Sequence, residues 1–319
     1  RSEFGCGFCC PIQAAGSCHG VLTIARSDAS RFLNTAALNT VRTFADLIGI
    51  AVGHASNTIT RSREQRALQE LEIASDMQEK LLPLPQIDCP PEWTIFLRRR
   101  GAREVAGDHI EVLQADDGTL TFAMVDVMGK GISAAFLAAM FRTAFHMSVA
   151  ATGSLLEVVQ LVNRVLCAQV GDMSMFATCC FARVTPDLSS IEFINAGHCP
   201  ALLFDSSGAM RELEPSGPPL GLFADAAFVP ESVPLAGGER VYMVTDGLYE
   251  WYCGDDIWGW DHFLAFLRAH EDLDAGSLWD MLQETISKLA AKEAGGRDDQ
   301  AFFCWELLSA STANHATHG

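Results

Sequence analysis

Positive charge is what this chain has least of. Its 22 Lys and Arg face 40 Asp and Glu, a formal net charge of −18, and a surface of that sign repels nucleic-acid backbones and anionic bilayers. Those partners are therefore not expected, whereas divalent cations are attracted. Long apolar runs are also missing. The longest, Ile132 to Phe141, is broken only by Ser133 and falls well short of the roughly 20 residues that cross a bilayer. No basic segment followed by an apolar one opens the sequence, so no secretory leader is expected. The eleven cysteines follow no paired spacing, which fits reduced, mostly buried thiols in the cytoplasm better than a disulfide framework. Cys6, Cys9, Cys10, Cys18 and His19 cluster like metal ligands, but they lack a matching second pair and read as core or loop residues.

With 49% apolar and 19% charged residues, the chain is a globular protein able to build a sizeable core. The pattern separates three regions. The stretch CHGVLTIARSD (18–28) alternates as a strand, and residues 30–57 repeat apolar side chains at helical spacing. A polar stretch rich in Glu and Arg, residues 60–85, reads as a second helix that stops where Pro83 and Pro85 forbid it. Along it Leu68, Leu71, Ser75, Gln78 and Leu82 form a mediocre heptad stripe, so a solvated connector and a two-stranded coiled coil are both open.

From Trp93 onward strand-like runs dominate, at 93–99, 110–115, 119–126, 176–185, 190–196, 200–204, 239–245 and 300–306. Helical patterns fall at 132–150, 154–170, 261–269 and 276–294. The hairpin signal ADDGTL and the lack of βαβ alternation predict an α+β fold with largely antiparallel sheets.

Chemistry concentrates at aspartates beside glycines. In VDVMGKGIS, Asp126 ends an apolar strand before a Gly-Lys-Gly turn. That turn is no phosphate loop: the residue five before Gly129 is Met124, and Gly131 rather than Ser or Thr follows Lys130. Asp108 precedes a strand, Asp246 ends another, and Asp298 and Asp299 precede the last. Taken singly each Asp-Gly is an ordinary turn. As a set they put carboxylates at strand ends with only Lys130, Arg103 and Arg297 near them in sequence. A cluster with so few cations suits a hard divalent ion, Mg²⁺ or Mn²⁺.

The segments EVAGDHIEV, VDVMGKGISAAFLAAM, INAGHCPALLF, GPPLGLF, VYMVTDGLYEW and GRDDQAFFCW, in this order, resemble the SpoIIE-type (RsbU-like) branch of the PPM/PP2C metal-dependent serine/threonine phosphatases. The resemblance implies an antiparallel β-sandwich flanked by helices with a dinuclear Mn²⁺/Mg²⁺ site. It implies hydrolysis of phosphoserine or phosphothreonine on a protein, often a small anti-anti-sigma (STAS) domain, by metal-bound water. Carried over by motif, Asp108, Asp126, Asp246 and Asp298 are the implied metal ligands, with the Val127 carbonyl and, secondarily, Asp299. Asn195, Gly197 and His198 match an NAGH motif, read as a structural turn near the site. Glu111 stands where the family has Asp, and Gln300-Ala301 where it has an apolar residue and Thr, whose hydroxyl would support the last ligand. These departures motivate the alternative of a catalytically degenerate, phosphoprotein-binding module. Upstream, residues 5–58 resemble the C-terminal part of a GAF sensor domain. The expected organisation is this segment, a linker helix at 59–85 able to pair two copies through residues 60–82, a phosphatase domain at 86–308 and a tail at 309–319.

Overall fold

The computed structural model describes residues 6–14, 16–26, 35–101, 106–129, 131–171, 175–253, 256–290 and 298–309. Arg103, Lys130 and Arg297, the side chains of Leu68 and Leu71, and nearly all of the tail lie outside the described residues. The chain divides into two compact units, Arg1–Glu70 and Leu71–Gly319.

In the first unit, β1 (Cys6–Ala14) and β2 (Ser17–Arg26) form an antiparallel hairpin. Helix α1 runs unbroken from Thr35 to Leu81, and its residues through Glu70 belong to this unit. The sequence suggested two helices here. One forms because no proline or other obligatory breaker interrupts 35–82. Glycines let the helix touch the hairpin: a Cβ on Gly53 would lie 2.8 Å from that of Ala14, and one on Gly49 would strike the Gln13 carbonyl. The cysteine cluster is spread along this hairpin, Cys10 opposite Leu22 and Cys18 opposite Gln13. Among the described residues it forms no metal-binding group.

The second unit is built on two five-stranded antiparallel sheets. One has the order β10 (Glu231–Pro234), β7 (Ser190–Ala196), β6 (Ala177–Val184), β5 (Leu120–Val127), β4 (His109–Gln114). The other runs β3 (Trp93–Arg100), β14 (Gln300–Leu307), β11 (Arg240–Val244), β8 (Ala201–Phe204), β9 (Met210–Leu213). Strand alternation supplies three apolar layers. Phe122, Met124, Cys180, Ala182, Val241, Met243, Phe303 and Trp305 fill the space between the sheets. Val125, Phe181 and Ile194 point the other way, against α2 (Ile132–Ala151) and α3 (Leu155–Val170). Tyr242, Val244, Phe302 and Cys304 pack on α4 (Trp260–Ala269) and α5 (Ala275–Ala290). The result is an α-β-β-α sandwich. Short β9, β10 and the ribbon β12 (Trp251–Cys253) and β13 (Asp256–Trp258) are additional to the expected strands, because they carry too few residues to show a period.

Helix α2 is long and apolar enough to cross a membrane by composition. Here it lays Ala134, Leu137, Ala138, Phe141 and Phe145 on the sheet. The final turn of α1 also packs on this unit, with Gln78 and Leu82 buried at 6% and 1% exposure. This corrects the described part of the expected stripe: Gln78 and Leu82 face inward, and Ile73, Met77 and Leu81, spaced four apart, are exposed.

The sheets are joined most directly by Phe122 and Phe303, whose ring centroids lie 4.7 Å apart. Replacing Phe303 by Ala is expected to cost about 3–5 kcal/mol, read as a lower urea midpoint with unchanged slope.

Candidate metal centre

Antiparallel pairing brings the predicted aspartates to one end of the sandwich. His109 pairs with Val125 and Val244 with Phe302, so the start of β4 lies beside the end of β5 and the start of β14 beside the end of β11. Asp108, Asp126, Asp246 and the Asp298–Asp299 pair occupy those ends. Asp126 shares strand parity with Met124 and Phe122, which face the other sheet.

Asp108 is 3% exposed, and its Oδ2 is buried without a hydrogen-bond partner. Burial pushes its carboxyl well above the usual range, reinforced by the charges of Asp126, Asp299 and Asp246 and opposed by a hydrogen bond with Thr245. Burial likewise raises Asp246 to about 7, helped by Asp126, Asp298 and Glu250. The acidic pair divides its orientation. Asp299 is buried and accepts the Gly107 N–H at 2.7 Å, whereas Asp298 is exposed and accepts the Asp299 N–H at 2.9 Å. Asp299 thus acts on Asp108, and Asp298 on Asp246.

Backbone fit holds these pieces together. A Cβ on Gly247 would run into the carbonyl oxygen of Asp299, so only glycine lets the turn after β11 meet the start of β14. A Cβ on Gly107 would come within 3.0 Å of the Val127 carbonyl oxygen, which places that carbonyl against the Asp108 segment. Gly129 and Gly131 have φ of +93° and +83° with open space where a Cβ would stand. Their requirement is one of backbone conformation and not of close approach.

The NAGH turn is a clamp. Asn195 Oδ1 accepts the His198 N–H at 2.8 Å, and Gly197 takes φ +73° with no room for a Cβ beside Pro219. His198 Nε2 lies 2.9 Å from the Val244 carbonyl and Nδ1 2.9 Å from the Thr178 hydroxyl. A carbonyl only accepts, so Nε2 carries the proton and Nδ1 accepts from Thr178. Burial lowers the imidazole pKa to about 4 and keeps it neutral. Thr178 sits opposite Asp126, and Val244 lies two residues before Asp246. One side chain therefore ties together the two sheets that carry these carboxylates.

Several contributors had no sequence signal. Thr245 is fully buried, and its Oγ1 accepts the Ala301 N–H at 2.8 Å, leaving its proton for Asp108. At the start of β14 it is thus the main chain of Ala301 that makes this contact. Arg99 adds a cation that strand alternation hid: it donates to His109 Nδ1 at 3.0 Å and to the Asp108 carbonyl at 3.5 Å. Gln78 brackets Ala106, its Nε2 donating to the Ala106 carbonyl at 2.5 Å and its Oε1 accepting the Ala106 N–H at 3.0 Å. Glu111 faces α2, away from the aspartates, and binds His109 at 2.5 Å, Arg142 at 2.5 Å and His146 at 2.8 Å. Burial alone would raise its pKa, but the bonds and charges of His109, His146 and Arg142 bring it below the usual value.

Among the described residues no three His, Cys, Asp or Glu side chains converge as a finished ligand set. The residues nevertheless fit a hard cation. They offer acidic oxygen donors, an orphaned buried carboxylate oxygen and mutual repulsion that a countercharge relieves.

A sandwich of this build with an acidic end is the PP2C fold. The structure aligns with the SiaA-PP2C domain of Pseudomonas aeruginosa at a TM-score of 0.64, over 77% of this chain and 98% of that one, and at 19% identity the likeness is one of fold. The chain belongs to the SpoIIE family: the model of Stage II sporulation protein E (SpoIIE) matches residues 116–307. Two curated relatives from Bacillus subtilis (strain 168) are similar in sequence. Phosphoserine phosphatase RsbP is 26% identical over 74% of this chain and 57% of its own length, and phosphoserine phosphatase RsbU 28% over 64% and 60%. The chain therefore spans less than two thirds of either.

The raised Asp246 pKa fixes a pH dependence. The folded state holds this proton more tightly than the unfolded state, so stability falls as pH rises from the unfolded value of 3.8 through about 7. Without metal, Asp246→Asn is expected to raise the melting temperature clearly at pH 8 and much less at pH 5, by calorimetry in EDTA. Equal shifts at both pH values would contradict this origin.

Proposed function

We propose that this chain is a metal-dependent phosphatase of phosphoserine and phosphothreonine on a regulatory protein. The observation that carries the reading is Asp108, a buried carboxylate with an unpartnered oxygen beside three like charges. Family membership and the named activity of RsbP and RsbU support it. Asp108, Asp126, Asp246 and Asp298 would hold the ions, with Val127 through its carbonyl and Asp299 as a further oxygen donor. Two Mn²⁺ or Mg²⁺ ions are expected; when bound, they supply a water of lowered pKa and positive charge for the phosphoryl group. The protein's own part is positioning. Thr245 orients Asp108, His198 locks the strands behind Asp126 and Asp246, and Gly107 and Gly247 allow the close approach of the loops.

The substrate we propose is a phosphorylated anti-anti-sigma (STAS) protein. The compartment is the cytoplasm, which suits the free thiols of Cys179, Cys180, Cys199 and Cys304. We also propose homodimerisation through the 60–82 helix. The outward Ile73, Met77 and Leu81, each more than half exposed, give that helix a face to bury. The GAF-like segment at 5–58 and its control of the phosphatase through this helix are part of the same proposal.

Turnover of p-nitrophenyl phosphate and of a phosphorylated STAS protein should need added Mn²⁺ or Mg²⁺. Asp126→Asn and Asp246→Asn should lower kcat on the order of 10²–10³-fold or more. A wild-type protein that binds the phosphoprotein without metal-dependent turnover would establish the degenerate binding module instead. Thr245→Val should raise the metal concentration for half-maximal activity about 10–100-fold while kcat at saturating metal changes less.

A further inference from the structure

A cavity of about 160 Å³ opens beside Asp298, between the end of β3, the start of β14 and α5. Among the described residues its apolar lining is Trp251, Ile286 and Ala290, and its polar lining is Arg100, Gln300, Ser287 and Asp298. Arg100 stands directly opposite Gln300 in the β3–β14 ladder. Its Nη1 donates to Gln283 Oε1 at 2.9 Å, and Gln283 Nε2 donates to Gln300 Oε1 at 3.0 Å. A guanidinium only donates, so this chain fixes each amide orientation in turn. Gln300 has its carbonyl engaged and its N–H donors left over. Arg100 keeps its remaining donors and meets no carboxylate at ion-pair distance among the described residues, in a protein of net charge −18.

Among the described residues, the uncommitted side-chain groups of Arg100 and Gln300 are therefore all donors, one of them cationic and steered by α5, beside a Ser287 hydroxyl that donates to the Gln283 carbonyl. The cavity is smaller than the roughly 300–1,000 Å³ of a small-molecule site and suits one side chain. Asp298 repels an anion on its own side and so confines one to the Arg100–Gln300 wall. We propose that Arg100 and Gln300 form a specificity subsite for an acidic side chain flanking the phosphorylated residue of the protein substrate. The proposal rests on the phosphatase reading above and adds what that active site selects. It also gives the Gln300 departure from the family pattern a role.

The test uses the full chain with Mn²⁺ and phosphoserine peptides that carry Glu or Gln at each position from three before to three after the phosphoserine. The wild type should prefer Glu at one flanking position by about tenfold in kcat/KM, mainly through KM, the size of a charge-assisted hydrogen bond at a partly solvated site. Arg100→Ala and the milder Arg100→Gln should bring the Glu peptide down to the level of its Gln counterpart. Arg100→Glu should move the preference to a Lys peptide at the same position. Equal wild-type rates on every Glu and Gln pair, or a loss in Arg100→Gln that is the same for both peptides, overturns the subsite while the phosphatase reading stands. An equal loss would place Arg100 on the phosphoryl group itself. No turnover of any peptide by the wild type overturns the phosphatase reading and the subsite together.

Discussion

Like charge gathered at the end of an apolar sandwich is the constraint on which this structure turns. Removing a carboxylate from water costs several kcal/mol even after relaxation, and Asp108 meets this cost with one oxygen unpartnered and Asp126, Asp246 and Asp299 close enough to act on it. Among the described cations, Arg99 acts on Asp108 and Asp299. Arg99 is directed at a carbonyl and an imidazole, and Arg142 at Glu111. The orphaned oxygen of Asp108 and the repulsion among these carboxylates are what the proposed divalent ions would relieve.

Much of the remaining architecture serves to keep that repulsive cluster from relaxing. The aspartates sit where strands end, so each would move apart if the ends were free. Gly247 and Gly107 allow main chains to touch where any side chain would separate them. His198, neutral and fully committed, fastens β6 to β11 directly behind two of the carboxylates. Thr245 links the Ala301 main chain to Asp108. None of these groups needs to touch a substrate to matter, because each holds a carboxylate against its neighbours' charge.

The proposed subsite would let an acidic site attract an acidic partner. Arg100 is held through Gln283 and Gln300 at a small cavity that Asp298 also lines. In the proposed complex, attraction for a phosphoprotein is local, while the net charge of the chain is repulsive. Discrimination by a few directed donors, rather than by overall charge, is the general route to specificity under those conditions.

Strand and helix periods, the ADDGTL turn and the aspartates beside glycine were legible in the sequence because each is a local property of backbone geometry or side-chain chemistry. Asp108, Asp126 and Asp246 come together as their strand-end positions implied, since an antiparallel ladder sets the end of one strand beside the start of the next. The single helix over 35–81 was harder to see, because a change from apolar to polar composition looks like a boundary although nothing breaks the backbone. The inward turn of Gln78 and Leu82, the Glu111 network under α2, the split between exposed Asp298 and buried Asp299, and the Arg100–Gln283–Gln300 chain were decided only in three dimensions. Each joins residues far apart in the chain, or depends on which face of an element finds a neighbour. Composition and spacing record what a residue is able to do, and tertiary packing selects which of those possibilities has a partner.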